Sequence, residues 1–378
     1  MTTPEEPATT AAAPGVPAPV STCPSCGAEV GPAERFCEAC GTSLTPVAQS
    51  APVQDAGLEA PITLSRSIRA PAAADAAAAV AIAARPCASC GGVVGADGYC
   101  ETCGTKAPTG RDHYIEEPSP WVGACCDRGV RHHRNEDATA TASDPEPGSR
   151  AVLVVCDGVS NSRDSDIAAL AAAEAARDLL VASRPAGMGM PAGRAAATSS
   201  AIEAAAERAD RAVRETTATA GPDCASCTFA AAVLDGGLAV WGTVGDSRVY
   251  WIPDAGDPRT LSVDDSVAEE QIAAGASRQE AESGPQGHAI TRWLGSDSPD
   301  AKARVGSTSL GGAGWLLVCS DGLWNYASEA TELRDVLSHL AVDAARAPRP
   351  LAEALVVWAC EQGGRDNVSV ALARFEAS

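Results

Sequence analysis

Two apolar runs that stop abruptly in Asp-Gly constrain this chain most: Val154-Val-Cys-Asp-Gly158 and Val318-Cys-Ser-Asp-Gly322. An unbroken run of this kind reads as a strand buried on both faces. A carboxylate at its end, beside a Gly that allows a tight backbone turn, sets a hard oxygen ligand at the rim of a rigid sheet. Two further acidic segments, Arg134-Asn-Glu-Asp137 and Arg365-Asp-Asn-Val368, complete an ordered set. Convergence of such ends on one point would make a Mg²⁺ or Mn²⁺ site. A single Asp-Gly after an apolar run is usually only a turn, because turns favour both residues for local reasons. The weight lies in the order and the combination.

The bulk numbers narrow the function classes. A formal charge of −21 over 378 residues argues against phosphate-backbone binding, which needs clustered Lys and Arg, and suits acidic groups that hold cations. The Ala-rich stretch 72–84 is too short to span a bilayer, and Asp75 interrupts it. The first 20 residues lack the basic and apolar regions of a signal peptide. A cytoplasmic protein with no membrane partner is expected.

Composition divides the chain. Residues 1–20 are Pro/Thr/Ala-rich and predicted disordered, 21–44 form a cysteine module, and 45–84 are a Pro/Ala-rich linker. The module recurs at 85–106, a second linker covers 107–117, and 118–376 is the main domain. There, strands are predicted at 121–127, 151–156, 227–234, 238–244, 248–252, 315–319 and 368–375. Helices are predicted at 164–183, with Asp164 and Ser165 as capping candidates, and at 192–217, 332–345 and 351–361. Residues 254–313 read as irregular apart from a short helix at 267–274. Strands in succession and helices in blocks predict an α+β fold, helices covering a sheet sandwich. Asp137, Asp157, Asp321 and Asp366 each fall at a strand boundary, and Asp246 falls between two strands.

The segment about 118–376 resembles the metal-dependent Ser/Thr protein phosphatases of type 2C. The resemblance rests on Arg134-Asn-Glu-Asp137, Cys156-Asp-Gly158, Gly245-Asp-Ser-Arg-Val-Tyr250, Leu261-Ser-Val-Asp-Asp-Ser266, Ile290-Thr-Arg-Trp-Leu-Gly295, Cys319-Ser-Asp-Gly322 and Asp366-Asn367, in the family's order. It implies a four-layer sandwich, two antiparallel sheets flanked by helices, with a binuclear Mn²⁺/Mg²⁺ centre at one end. By the same resemblance Asp157 bridges two metals and Gly158 lends its carbonyl to one. Asp321 and Asp366 complete the first metal, Asp137 holds the second with Glu136 behind a water, and Asp246 with Asp321 matches a weaker third site. Asp137, Asp157, Asp321 and Asp366 are thus the expected catalytic set. Carboxylates and carbonyls suit Mg²⁺ and Mn²⁺, and two such ions can activate a water for in-line attack on a phosphate monoester. No Cys or Ser nucleophile is expected.

Three departures stand out. Where the family commonly has a phosphate-gripping Arg, this chain has His132, flanked by Arg131, His133 and Arg134. Arg131 or Arg134 could take over the grip. After Asp157-Gly158 comes Val159, with no general acid, so the leaving group's proton would come from water or from His132. Asp264-Asp265 stands where Asp-His is common and reads as variation in a substrate loop. The expected metal carboxylates are all present, which disfavours an inactive phosphoprotein-binding scaffold.

Eight of the fifteen cysteines lie in four Cys-x-x-Cys pairs: Cys23/Cys26 with Cys37/Cys40, and Cys87/Cys90 with Cys100/Cys103. Each set resembles a zinc ribbon, in which two Cys-x-x-Cys-Gly turns make a tetrahedral Cys₄ site that folds a module with almost no core. Two structural Zn²⁺ ions are expected. A rubredoxin-type iron site or redox dithiols fit less well. The ribbons carry few basic or aromatic residues, so protein docking is favoured over nucleic acid. Cys156 and Cys319 read as core residues, and Cys224/Cys227 as a loop leading into a strand. The expected substrates are phosphorylated proteins of a Ser/Thr kinase system.

Overall fold

The structure is a computed structural model that describes residues 86–376 apart from 88–89, 161, 186–189, 218–223 and 344–346, together with β1 (Ser21–Thr22) and β2 (Glu29–Val30). The predicted disordered start, the linker 45–84 and the ligands Cys23, Cys26, Cys37 and Cys40 lie outside the described residues. Contacts divide the chain into two units, Met1–Ala70 and Pro71–Ser378. In the first, β1 pairs antiparallel with β2.

In the second unit β3 (His113–Ser119), β4 (Val122–Asp127), β10 (Arg248–Pro253), β11 (Arg259–Thr260), β14 (Gly314–Cys319) and β15 (Val368–Phe375) form a sheet of order β11-β10-β14-β15-β4-β3. A second sheet runs β13-β9-β8-β6-β5, from β5 (Ala138–Ser143), β6 (Arg150–Cys156), β8 (Phe229–Asp235), β9 (Leu238–Val244) and β13 (Arg304–Ser309). The short β7 (Ser226–Cys227) and β12 (Leu294–Gly295) pair with each other. Every pairing is antiparallel.

Alternation along the central strands builds the layers. On β6, Ala151, Leu153 and Val155 fill the core between the sheets, while Val152, Val154 and Cys156 pack under helices. On β14, Leu316 and Val318 face the other sheet, while Trp315, Leu317 and Cys319 face outward. Helices α1 (Ser165–Ala182) and α2 (Pro191–Thr216) cover the five-stranded sheet with small Ala surfaces such as Ala169, Ala173 and Ala206. The short α3 (Val267–Ala273), α4 (Arg278–Glu282) and α5 (Asp321–Trp324) follow. Helices α6 (Ala330–Asp343) and α7 (Pro348–Gln362) cover the six-stranded sheet through Leu333, Leu337, Leu351 and Leu355. The result is the expected four-layer α+β sandwich.

Several local expectations change. The segment 107–117, read as a linker, contains a hydrogen-bonded turn at Thr109–Asp112 and the first residues of β3. Pro108, Pro118 and Pro120 around it concealed an edge strand, where Pro118 is tolerated beside a shift in register between Glu116 and Ser119. β13 and α4 lie within 254–313, and β5 has a Thr/Ala sequence with too little apolar contrast to announce itself. At the start of α1, Asp164 adopts φ 56° and its side chain makes no capping bond, while Ser165 turns its hydroxyl toward Glu136. Cys156, Cys224, Cys227 and Cys319 are buried free thiols, as their apolar settings imply. Among the described residues no helix is long and apolar enough to cross a membrane.

Candidate metal centre

Register alone brings the acidic segments together. The start of β5 pairs with the end of β6 (Ala138 opposite Cys156), so Asp137 and Asp157 flank one sheet edge. The start of β15 lies beside the end of β14 (Val370 opposite Cys319), placing Asp366 and Asp321 on the matching edge of the other sheet. The turn from β9 to β10 crosses between the sheets at this same end and carries Asp246. It needs Gly245 at φ 97°, a conformation that side chains disfavour.

The glycines after the aspartates act through space rather than through turn conformation. Neither Gly158 nor Gly322 has positive φ. A Cβ on Gly158 would lie 2.6 Å from the Glu136 carbonyl oxygen, and one on Gly322 would strike the carbonyl of Asn367. Close backbone approach is what the motif encodes. Gly322→Ala is expected to cost about 1–3 kcal/mol from overpacking, read as a lowered urea midpoint at unchanged slope.

A web of neutral groups holds the acidic ends in place. Ser320 donates to Asp137 Oδ2 at 2.7 Å, and Asn325 donates to Asp321 Oδ2 at 3.1 Å. Asn367 accepts from the Glu136 amide at 2.8 Å and donates to the carbonyls of Arg128 (2.7 Å) and Arg134 (3.1 Å), stitching the β4–β5 loop to β15. Thr228 Oγ1 accepts from the Asp157 amide at 3.0 Å. Of these, Asn367 was visible only as part of Asp366-Asn367 and Ser320 only as part of Cys319-Ser-Asp-Gly322. Thr228 left no sequence signal, because its role depends on β6 and β8 being neighbours.

The charges are left unbalanced. Asp137 Oδ1 and Asp321 Oδ1 are buried and receive no hydrogen bond among the described residues. Burial, then the repulsion of Asp137, Asp321, Asp366 and Asp246, holds Asp157 well above the usual carboxylate range. Burial with Asp366, Asp246 and Asp137 does the same to Asp321. Asp137 is pushed up to about 6 by burial, against the Ser320 hydrogen bond, and Asp246 to about 7 by burial and Asp264. Orphaned carboxylate oxygens crowded at one rim, with no thiolate among them, fit hard divalent cations. The ligand atoms do not all gather on one point: among the described residues only a cysteine set brings three or more within 4.8 Å of one another.

Glu136 differs from the rest. Burial would raise it, but the nearby His132 imidazole and hydrogen bonds from Ser165 (2.5 Å) and Arg134 (2.7 Å) bring it down to about 2. The basic run is correspondingly divided. Arg134 is committed to Glu136, Ser165 Oγ (3.1 Å) and Asp166 (3.7 Å). His132 lies between Glu136 (3.7 Å) and Asp366 (3.3 Å), which hold its imidazole above the usual value despite burial. Arg131 is exposed, its amide donating to Gly364 O at 3.2 Å.

The Asp264-Asp265 pair, expected in a substrate loop, is buried and structural. Asp264 takes a bidentate bond from Arg248 (2.9 and 2.7 Å). Asp265 takes Arg292 (3.1 Å), Arg304 (2.6 Å) and the Gly245 amide (3.2 Å), so it braces the turn bearing Asp246.

Ribbon 2 has a small core of Cys87, Val94, Cys100 and Ala107. Cys87 and Cys103 sulfurs lie 3.6 Å apart, and Cys90 and Cys100 sulfurs 3.5 Å apart. The edge of a tetrahedral zinc–thiolate site is about 3.8 Å, so the quartet fits Zn²⁺.

Residues 128–358 match the protein phosphatase 2C family, and residues 23–104 match the double zinc ribbon family. The chain belongs to the protein phosphatase 2C family. A 2C-type protein phosphatase of Streptococcus pyogenes is 30% identical over 151 residues, which is 40% of this chain and 58% of that protein. The chain therefore matches less than two thirds of that relative's length. Among solved structures, the Streptococcus agalactiae serine/threonine phosphatase superposes with a TM-score of 0.54 at 24% identity, covering 70% of this chain and 100% of that one. The Mycobacterium tuberculosis serine/threonine phosphatase PstP/Ppp gives 0.52 at 23% identity, covering 70% and 99%. Stp1 of Staphylococcus aureus gives 0.54 at 20%, covering 68% and 96%. At these identities the likeness is one of fold.

Proposed function

We propose that the chain is a metal-dependent protein serine/threonine phosphatase that releases phosphate from phosphoserine and phosphothreonine in proteins. The observation that carries this reading is the rim of carboxylates with orphaned oxygens on Asp137 and Asp321. Asp157, Asp321 and Asp366 would hold one Mn²⁺ or Mg²⁺; Asp157 and Asp137, with Glu136 behind, a second; the Gly158 carbonyl would add to one of these, and Asp246 and Asp321 would hold a weaker third. When bound, such ions supply an activated water and positive charge for the phosphoryl oxygens. The protein's own residues do the rest. Arg131, whose side chain makes no hydrogen bond or ion pair among the described residues, is free to grip the phosphate in two-point fashion. Arg134 keeps Glu136 ionised and in place, and His132 stands beside Asp366 where it can meet a substrate oxygen.

The same reading places a cytoplasmic phosphatase domain at 118–376, extended to His113 by β3, in opposition to a Ser/Thr kinase system. Ribbons at 21–44 and 85–106 serve protein docking, with linkers between. Exposed Val93 and Tyr99 on ribbon 2 support a docking surface. The test is steady-state release of phosphate from a phosphothreonine peptide by the full chain with Mn²⁺ or Mg²⁺. Turnover that chelation abolishes is expected. Peptide binding without phosphate release would overturn the reading in favour of a scaffold. Native mass spectrometry is expected to find two zinc ions per chain, and one after Cys87→Ser with Cys90→Ser.

A further inference from the structure

Arg111 lies in the segment that composition marked as a linker, yet its guanidinium reaches the metal rim. Its Nη2 donates to the backbone carbonyl of Asp137 at 2.8 Å and to that of Asp166 at 3.4 Å. Its own carbonyl accepts from Asn135 Nδ2 at 2.8 Å, two residues before Asp137. The guanidinium also stacks on Tyr114 at 5.3 Å, and Tyr114 Oη accepts from the Thr139 amide at 2.7 Å. Arg111 therefore holds Asn135 and Asp137, just before β5, directly, and bears on Thr139 of β5 through Tyr114.

Its other side leads to the cysteine module. Ala107 is part of the ribbon 2 core and donates its amide to Gly98 O at 2.7 Å. Between Ala107 and Arg111 the chain is a braced turn. Thr109 Oγ1 donates to Asp112 Oδ2 at 2.9 Å, the Arg111 amide donates to Thr109 Oγ1 at 3.3 Å, and the Arg128 amide donates to Asp112 O at 2.8 Å. Three residues, Pro108, Thr109 and Gly110, separate the ribbon core from Arg111, and the Thr109 bonds close a turn across this short connection.

We propose that Arg111 is a positioning residue of the metal centre, through which the zinc-held fold of ribbon 2 bears on Asp137. This rests on the metal-centre reading above. Outer partners that orient a ligand commonly matter by 10–100-fold in metal affinity, and a ligand whose backbone is released should coordinate less well. The test measures Mn²⁺ affinity of the full, zinc-loaded chain by calorimetry and by the Mn²⁺ electron paramagnetic resonance signal, independently of turnover. Arg111→Ala is expected to raise the Mn²⁺ Kd roughly tenfold, and Arg111→Lys, which keeps a donor, to recover part of it. Should Arg111→Ala not fold, the intermediate Kd of Arg111→Lys carries the test. Cys87→Ser with Cys90→Ser is expected to raise the Kd in the native background and to add little on top of Arg111→Ala. A Kd within about twofold of native in both Arg111 variants, or independent multiplication of the ribbon and Arg111 effects, would overturn the proposal. Absence of any Mn²⁺ binding by the native chain would instead overturn the metal centre itself.

Discussion

Asp157→Asn and Asp321→Asn are each expected to lower phosphate release by roughly two orders of magnitude or more, since a lost ligand should cost at least what a lost outer partner does. The same changes should leave the metal-free protein as stable as before or more so. Both carboxylates are held well above their usual range, because burial and the neighbouring acids disfavour their ionised forms. A neutral amide of the same shape removes that repulsion. The two measurements form a pair: turnover against metal, and thermal midpoint with and without metal. In the native chain, Mn²⁺ at a hundredfold over its Kd should add about 2.7 kcal/mol of stability, and in Asp157→Asn markedly less. Unaltered turnover in either variant would remove that residue from the centre. A large fall in the metal-free midpoint would show that it serves the fold instead.

Arg248→Ala should give the largest loss of stability. The guanidinium is 2% exposed and bonded to Asp264 at 2.7 Å and to Glu282 at 2.8 Å, with Ser328 Oγ at 2.9 Å, and it lies 3.6 Å over the Trp324 ring. Its removal strands Asp264 in a poorly hydrated site, while Glu282 keeps Arg278 at 2.9 Å and Ser328 at 2.7 Å. Breaking a buried pair from one side costs about 3–5 kcal/mol. For a domain of this size that is a fall of roughly 10 °C in Tm. Replacing the whole group with apolar residues of similar volume could cost far less, because the penalty comes from the stranded charges. A fall below about 1 kcal/mol, the range of exposed pairs, would show that Asp264 finds another partner or water. Trp324 also donates to the Asp246 carbonyl at 2.9 Å, so loosening this cluster should weaken the Asp246 corner of the rim.

Much of the site was legible because acidic residues at the ends of apolar runs leave a one-dimensional trace. Asp157 and Asp321 follow strands apolar on both faces, and such strands must be central in a sandwich. Asp366 stands just before a strand that the apolar pattern marked, whereas Asp137 was reached through its motif, since β5 is Thr/Ala-rich. The choice among Arg131, His132 and Arg134 for the proposed phosphate grip was narrowed only by three-dimensional contacts. Arg134 is occupied by Glu136 and Asp166, whereas Arg131 projects from a loop held by Gly364. Asp264 and Asp265 show the opposite error. Adjacent acids in a polar stretch resemble a solvated loop, and only the return of Arg248, Arg292 and Arg304 from distant segments makes them an internal brace.

By itself, the sequence determined the layered architecture, the identity of the acidic rim and the two cysteine modules. Each is written in local patterns: strand alternation, an abrupt polar stop, a fixed Cys spacing. The tertiary structure alone decided which charges are balanced and which are not. It turned Gly158 and Gly322 from turn formers into gaps for a neighbouring carbonyl, and made Asn367 a stitch across the rim. It also made Arg111, in an apparent linker, a support of Asp137. Those properties depend on distances between segments far apart in the chain, and neither composition nor periodicity records them.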